Sequence, residues 1–280
     1  AAILDAFLPD CPAMVAHASG HMGAVNSLGM QKLGITANTP DPEGGKIGRL
    51  PNGRPNGYLE EAAFTNMGSR IPQNQADGLK SLQRAQEVYF SQGITTIHDG
   101  LVRQPEWGLL QAAASQGLLR GDVAAYIDIK DSAALLEEHR DFLGHYRSRL
   151  KIAGYKLFLD GSPQGRTAWM TQPYLEGEPD YRGYPIYQDQ QVLGFLEKAQ
   201  REQVQIVTHC NGDAAAEQLL RCYEKVYREY GNPIRPVMIH AQLLRPDQVP
   251  RLRDLGMIAS FFVAHVYHWG DIHVKNFGWE

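Results

Sequence analysis

Cysteine and long apolar runs are scarce in this 280-residue sequence, and each scarcity excludes a class of protein. The three cysteines, Cys11, Cys210 and Cys222, are an odd number without Cys-x-x-Cys spacing. This argues against a disulfide framework and indicates a reducing compartment. No apolar run approaches the ~20 residues that span a bilayer, and the first residues have no basic lead into an apolar segment. We therefore expect a cytoplasmic protein without a membrane partner.

Positive charge is neither abundant nor clustered. Lysine and arginine number 27 against 31 aspartates and glutamates, for a formal net charge of -4. The basic residues are scattered, so no electrostatic stripe indicates nucleic acid as a partner. The hydrophobic content of 43% is enough for a large core. A globular protein that acts on small neutral or polar molecules fits this composition.

The sequence changes character near residue 76. Before it, residues 39–58 are so rich in glycine, proline and Asn-Gly pairs that we predict tight turns or short hairpins. After it, helical and strand patterns alternate, including a helix predicted over 132–146. The six predicted strands are 94–99, 123–129, 152–160, 205–209, 236–240 and 257–263.

A series of this kind forms either a doubly wound sheet or a (β/α)8 barrel. No Gly-x-Gly-x-x-Gly follows the first predicted strand, and polar residues recur at the carboxyl ends of the strands, which favours the barrel. We predict an incomplete (β/α)8 TIM-barrel-type α/β fold with about six of eight strands. Residues 1–75 form a Gly/Pro-rich elaboration and residues 76–280 the partial barrel.

Lys156 lies in the apolar stretch Gly154 to Gly161, which ends in Asp-Gly. A lysine there must reach water or be used chemically, because burying an unpartnered ammonium costs several kcal/mol or shifts its pKa. His209 and His240 end two following strands, so a closed barrel brings all three side chains to one mouth. Two imidazoles suit a divalent metal such as zinc. The plainer alternatives are a lysine that extends to the surface and two hydrogen-bonded core histidines.

Five further polar residues are candidates for contact with substrate: His98, Asp99, Asp160, Arg166 and His265. His98 and Asp99 have an alternative reading as a strand-end cap, and Arg166 either clamps a carboxylate or carbonyl or is solvated. His21, with His17, flanks Ser19-Gly20, and we place it on the substrate side or in a structural role.

Six blocks distributed along the chain carry a family resemblance: SGHMGAVNS at 19–27, TPDPEGGKI at 39–47, GITTIHD at 93–99, KLFLDGSPQGRTA at 156–168, THCNGD at 208–213 and IHAQLLRPDQVPRLRDLGMIAS at 239–260. Through them the sequence resembles the amidohydrolase superfamily of metal-dependent hydrolases, in the branch with N-substituted formamide deformylase-like proteins. The resemblance implies a carboxylated Lys156 that bridges two metal ions, with His209 and His240 on one of them. It also implies hydrolysis of amide-type, non-peptide C–N bonds by metal-activated water, with one or two divalent ions, taken as zinc, per complete site.

The resemblance also shows which parts of the family pattern have no counterpart in these residues. Family members have a first strand with a His-x-His pair and an eighth strand that ends in an aspartate, and the six predicted strands correspond to the second to seventh. Two other functions therefore stay open. One is a truncated barrel that binds a ligand without turnover, and the other is a Schiff-base lysine enzyme, which would leave His209 and His240 unexplained.

A barrel without two neighbouring strands exposes two sheet edges, and exposed edges pair with other chains. We therefore expect the 280-residue chain alone to form homo-oligomers through these edges, unless the missing strands belong to a longer protein. Light scattering of the purified chain measures its mass in solution. A stable, soluble monomer would contradict association through the edges.

Overall fold

The structure, a computed structural model, describes residues 1–17, 19–68 and 74–278. The first part of the chain forms a four-stranded antiparallel sheet flanked by short helices. Its strands lie in the order β1-β2-β4-β3. Its elements are α1 (Ala2–Phe7), β1 (Met14–Ala16), β2 (Met22–Val25), α2 (Ser27–Leu33), β3 (Gly45–Arg49), β4 (Pro55–Glu61) and α3 (Ala62–Gly68).

This sheet confirms the hairpin predicted within residues 39–58, since β3 and β4 pair as antiparallel neighbours. The chain around it has a buried apolar cluster of its own, which includes Val25, Ile47 and Leu59. Asn26 fixes the start of α2 because its side-chain oxygen accepts a hydrogen bond from the backbone N–H of Gly29 at 2.8 Å.

The second part forms a six-stranded parallel sheet with helices between its strands. The strand order is β10-β9-β8-β7-β6-β5, with every neighbouring pair parallel. Its elements are α4 (Gln75–Ser91), β5 (Thr96–Val102), α5 (Gln104–Ser115), β6 (Asp122–Asp128), α6 (Ala134–Glu138), β7 (Leu150–Phe158), α7 (Asp189–Arg201), β8 (Ile206–Cys210), α8 (Asp213–Tyr230), β9 (Val237–His240), α9 (Gln248–Asp254), β10 (Ile258–Ser260) and α10 (His265–Phe277).

The six strands predicted from residue 94 onward are confirmed, with shifted ends. The inner strand β8 is covered on both faces, since all five of its residues are buried, whereas the edge strands β5 and β10 keep exposed residues. The core between sheet and helices holds Trp107, Tyr155 and Tyr223, each with no exposed surface. The Tyr155 hydroxyl reaches the edge of this core and donates to Glu202 Oε2 at 2.6 Å.

Two predicted elements are wrong in extent. The helix predicted over 132–146 is only α6 and a 3₁₀ turn, because the Gly144 N–H donates to the Ile152 carbonyl at 2.9 Å instead of continuing a helix. The strand predicted over 257–263 ends at Ser260, and α10 follows, which the sequence did not predict. Asn276 anchors α10 by donating to the Pro163 carbonyl at 2.8 Å.

Two further expectations from the sequence concern the cysteines and membrane-spanning helices. Cys11, Cys210 and Cys222 are all free thiols, as the cysteine count predicted. No helix within the described ranges is both long enough and apolar enough to cross a bilayer.

Gly154 and Gly194 are a matched pair for testing how tightly the parallel sheet is packed. A Cβ at buried Gly154 would lie 2.2 Å from the carbonyl oxygen of Gln205, the residue just before β8, whereas a Cβ at exposed Gly194 of α7 would have no atom within 4 Å. We expect Gly154→Ala to lower the free energy of unfolding by about 2 kcal/mol or more. Gly194→Ala should raise it by roughly 0.5–1 kcal/mol through helix propensity.

Urea denaturation of the two variants beside the wild type measures both effects. A Gly154→Ala variant as stable as the wild type would show that β7 and β8 separate easily at this point.

Candidate active site

Lys156 is buried in the middle of the parallel sheet. It lies on β7 beside Asp128 of β6 and Val207 of β8, and its side chain is 4% exposed. Its Nζ lies 4.5 Å from the centroid of the Phe158 ring, and within the described ranges no carboxylate forms an ion pair with it. Burial lowers the pKa of Lys156 to about 7. Near pH 7 a substantial share of Lys156 is therefore the neutral amine, the form that can react.

His209 and His240 end the next two strands, with their ring centroids 4.7 Å apart. Burial, followed by the charges of neighbouring histidines and Lys156, lowers the pKa of His209 well below its usual value. Burial and then Lys156 lower the pKa of His240 to about 3. Both imidazoles are therefore neutral near pH 7. His240 has a positive φ of 70°, an uncommon backbone conformation for a non-glycine residue at the end of a strand.

A cavity of about 390 Å³ opens over these two histidines. His265, at the start of α10, stacks on His240 with 5.3 Å between centroids and lines the cavity. His21, from the antiparallel sheet, lines it from the other side, 4.8 Å from the His209 ring. His268 and Trp269 of α10 complete a wall of aromatic and imidazole rings.

Four buried polar atoms of this cavity have no hydrogen-bond partner within the described part of the chain: Ser162 Oγ, Gln164 Oε1, Asn211 Oδ1 and His240 Nδ1. Buried polar atoms in native proteins are almost always paired, and unpaired ones mark a site for a ligand, an ion or water. The concentration of four in one cavity identifies it as the candidate binding site.

A second cavity of about 220 Å³ adjoins the first and shares Ser19 and His21 with it. Charged groups line it, among them the ion pair between Arg103 Nε and Asp128 Oδ2 at 2.8 Å, and Lys130. The two cavities therefore differ in character, since rings and amides line most of the first and the second also has arginine, lysine, aspartate and glutamate side chains in its lining.

The structure brings together four of the predicted site residues and places the others elsewhere. His209, His240 and His265 line the larger cavity, and Lys156 lies behind them, near enough for its charge to lower the pKa of both His209 and His240. The described lining does not include the other four: His98, Asp99, Asp160 and Arg166. His98 stacks on Tyr126 at 4.3 Å, and Asp99 accepts from the Leu101 N–H at 3.5 Å. Arg166 donates to the Glu176 carbonyl within its own loop.

Asp160 has no exposed surface, and its carboxylate is used by the backbone. It accepts from the N–H groups of Trp169, Asn211 and Gly212 at 3.0, 3.0 and 2.7 Å. These bonds tie the loop after β7 to the loop after β8. In this arrangement Asp160 positions the walls of the cavity and has no surface left for a substrate.

Glu61 was not predicted from the sequence, although it reaches the same mouth. Its Oε2 lies 2.7 Å from His21 Nδ1, and its Oε1 accepts from the Thr167 hydroxyl at 2.7 Å. No local sequence pattern identifies Glu61 as a site residue, because its hydrogen-bond partners His21 and Thr167 are 40 and 106 residues away. His21 stands in the quoted block 19–27, which was the available signal.

Comparison with known proteins agrees with this geometry. The model of the family described as "Amidohydrolase family" matches residues 1–279. The chain belongs to the amidohydrolase family. The match includes both sheets, so the antiparallel part belongs to the amidohydrolase sequence as much as the parallel part does.

Individual relatives are similar over nearly the whole amidohydrolase chain. Putative amidohydrolase YtcJ of Bacillus subtilis is 29% identical over 95% of this chain and 51% of its own length. N-substituted formamide deformylase of Arthrobacter pascens is 25% identical over 96% of this chain and 51% of its own. The chain thus spans about half the length of these relatives.

A solved structure supports the fold. An uncharacterized metal-dependent hydrolase from Pyrococcus horikoshii superposes with a TM-score of 0.71 at 23% identity, over 96% of this chain and 52% of that one. The helix–strand arrangement of the amidohydrolase chain is therefore one already seen in a crystal.

Lys156 gives the amidohydrolase chain a predicted pH dependence of stability. Its pKa is about 7 when folded and about 10.4 in an unfolded chain. Between these values the unfolded state binds more protons, so this lysine makes stability rise with pH. In metal-free, bicarbonate-free buffer, we expect Lys156→Met to stabilise the chain by a few kcal/mol at pH 7, with the gain fading by about pH 10.4.

Urea denaturation at a series of pH values measures this effect. Lys80→Met is the matched control, because Lys80 is 78% exposed. A constant stability difference between wild type and Lys156→Met from pH 7 to 10 would contradict a neutral buried lysine.

Proposed function

We propose that this chain carries the central part of the active site of a metal-dependent hydrolase that acts on amide-type, non-peptide C–N bonds. The observation that carries the proposal is a buried lysine without an ion-pair partner, next to two neutral histidines at adjacent strand ends. The printed name of the deformylase relative fits this class of substrate.

The residues present fit a divalent cation in the larger cavity. His209 and His240 are uncharged and buried, and His240 Nδ1 has no partner among the described residues. Neutral imidazole nitrogen is a preferred ligand of zinc. Within the described ranges no three histidine, cysteine, aspartate or glutamate side chains are grouped to hold a metal, so a third ligand from these residues would be of another kind.

Lys156 supplies that ligand if it is carboxylated. With a pKa of about 7, part of Lys156 is the neutral amine at neutral pH, and a neutral amine adds carbon dioxide to form a carbamate with release of one proton. This change would replace the amine by an anion that can bind a metal ion. A divalent cation held by these groups supplies a Lewis acid that polarises a carbonyl and activates water.

The chain's own groups then bind and orient the amide. The volume of about 390 Å³ falls in the range of small-molecule sites, and the rings of His265 and Trp269 exclude water from one side. Asp160 holds the loops after β7 and β8 in register, which fixes His209 and Asn211 relative to each other. We further propose that β5 to β10 are the second to seventh strands of a (β/α)8 barrel and that residues 1–75 stand between the first and second.

Schiff-base chemistry is the second candidate, because a lysine whose pKa is about 7 is also a nucleophile toward carbonyl compounds. Borohydride in the presence of a carbonyl substrate would trap such an adduct on Lys156. This reading leaves the paired histidines without a role.

Metal content and hydrolysis test the proposal. We expect the full-length protein to bind at least one divalent ion, measured by mass spectrometry of the metal, and to hydrolyse formamides, N-acyl amines or cyclic amides. Lys156→Met, His209→Asn and His240→Asn should each lose metal and lower kcat/KM at least a hundredfold. His145→Asn, at an exposed position, is the control.

Chelation should abolish the activity, and added metal should restore it. Full metal loading without hydrolysis of any of these amides would contradict the amide specificity, and absence of metal would contradict the whole proposal.

A further inference from the structure

Asparagine followed by glycine occurs three times in this chain, at residues 52–53, 56–57 and 211–212. This dipeptide is prone to spontaneous deamidation, because glycine has no side chain to keep its backbone nitrogen away from the asparagine amide. The first pair lies in the turn between β3 and β4, the second in β4, and Asn211 of the third lines the larger cavity. The same chemistry is therefore available in three different surroundings.

The reaction requires that two neighbouring groups are free to move. The glycine backbone nitrogen loses its proton and attacks the side-chain carbonyl carbon of the asparagine, so that a C–N bond forms and the C–NH2 bond breaks with release of ammonia. Water then opens the cyclic imide to aspartate or isoaspartate. A glycine N–H held in one hydrogen bond, next to an asparagine amide held in another, reaches this geometry only after those bonds break.

Asn52 and Gly53 stand at the exposed tip of the hairpin, where all residues from 50 to 54 are exposed. The Gly53 N–H donates to the Leu50 carbonyl at 2.8 Å, and the Asn52 side-chain oxygen accepts from the Arg54 N–H at 3.1 Å. Both bonds lie at the surface of a short turn, so local opening costs little and water replaces the lost partners. This pair is therefore open to the reaction in the folded protein.

Asn211 and Gly212 are held by buried hydrogen bonds. Their two N–H groups donate to Asp160, from Asn211 to Oδ1 at 3.0 Å and from Gly212 to Oδ2 at 2.7 Å. Asn211 Nδ2 donates to the Gly161 carbonyl at 2.7 Å, which fixes the amide. The backbone has no room to turn, since a Cβ at Gly212 would lie 1.9 Å from the Trp169 carbonyl oxygen. Asp160 has no exposed surface, so water does not compete for its oxygens.

Conversion of Asn211 would damage the larger cavity. Its Nδ2 lies 3.1 Å from His209 Nε2 and also bonds the Gly161 carbonyl. An ionised aspartate has no N–H to donate there, and an isoaspartate adds one carbon to the backbone between β8 and α8. The cavity therefore depends on an intact amide at this position.

We propose that Asp160 protects Asn211 from deamidation and that Asn52 is the deamidation site of the folded protein. The protection comes from the two neighbouring backbone N–H groups that Asp160 accepts. The vulnerable position is the hairpin tip, and among the described residues 50–54 are not part of the lining of either cavity. Deamidation at the tip therefore leaves the candidate active site intact. The inference is independent of the proposed hydrolysis.

Asn56 and Gly57 supply an internal reporter of unfolding. Gly57 is buried in the antiparallel sheet, and a Cβ there would lie 2.2 Å from the Val25 carbonyl oxygen. The Asn56 side-chain oxygen accepts from the Tyr58 N–H at 2.8 Å. Deamidation of Asn56 therefore requires that β4 leaves its neighbours, which makes its rate a measure of unfolding outside the parallel sheet.

The test follows deamidation of the full-length protein in mildly alkaline buffer. Peptide mapping by mass spectrometry gives the converted fraction at each asparagine, once for the folded protein and once in guanidinium chloride. We expect similar rates at all three positions in denaturant, because the dipeptide is the same. Folding should slow Asn211 by at least about a hundredfold and Asn52 by less than about tenfold. Equal protection of Asn52 and Asn211 in the folded protein would overturn the proposal.

Asp160→Ala tests the protecting residue itself, because it removes both acceptors. We expect it to accelerate conversion of Asn211 at least about tenfold more than conversion of Asn56, with Asn52 unchanged. Asp141→Ala is the matched control, since the Asp141 side chain is 54% exposed, and all three rates should stay at their wild-type values.

An unchanged rate at Asn211 in Asp160→Ala would overturn the role of Asp160. Equal acceleration of Asn211 and Asn56 would overturn it as well, because the protection would then belong to the fold as a whole. These outcomes are read from peptide masses, so they are independent of whether the protein hydrolyses an amide.

Discussion

The burial of Lys156 without a counter-charge is the constraint to which the rest of the site responds. An ammonium at 4% exposure loses most of its hydration, and the described part of the chain offers it the face of Phe158 in return. The neutral amine avoids that cost. Burial also opposes protonation of His209 and His240, and so does the charge of Lys156 whenever that lysine is protonated. The mouth of the sheet therefore contains nitrogen lone pairs where positive charges would otherwise stand.

Those lone pairs are useful only if their positions are fixed, and the loops that follow β7 and β8 provide the rigidity. Asp160 joins them by accepting three backbone N–H groups. The two loops approach each other so closely that a Cβ at Gly212 would lie 1.9 Å from the Trp169 carbonyl oxygen. The Asp160 carboxylate accepts from buried N–H groups that would otherwise be unpaired. Because water does not reach this carboxylate, the two loops stay bound to it.

The local sequence pattern was enough to predict the parallel sheet and the convergence of Lys156, His209 and His240. Strands and their ends can be recognised from residues that are neighbours in the sequence. The pattern misplaced Asp160, since a polar residue after a strand looks the same whether it faces a substrate or a backbone. It missed Glu61, whose bond to Thr167 spans 106 residues. It also extended β10 through Phe261 and Phe262, which are exposed at 64% and 50%, because apolar letters alone do not show that a strand has ended.

The two sheets divide the work of the site. Lys156, His209 and His240 come from the parallel sheet, whose packing leaves little freedom to move them. His21 comes from the antiparallel sheet and faces both the ring-lined cavity and the charged one. Glu61 joins the two parts of the chain by pairing with His21 and accepting from Thr167 in the loop after β7. Tyr184 adds a second link, because its hydroxyl donates to Glu60 Oε2 at 3.3 Å. The antiparallel sheet is therefore tied to the walls of the cavity through loop residues, whereas Lys156 stays within the parallel sheet.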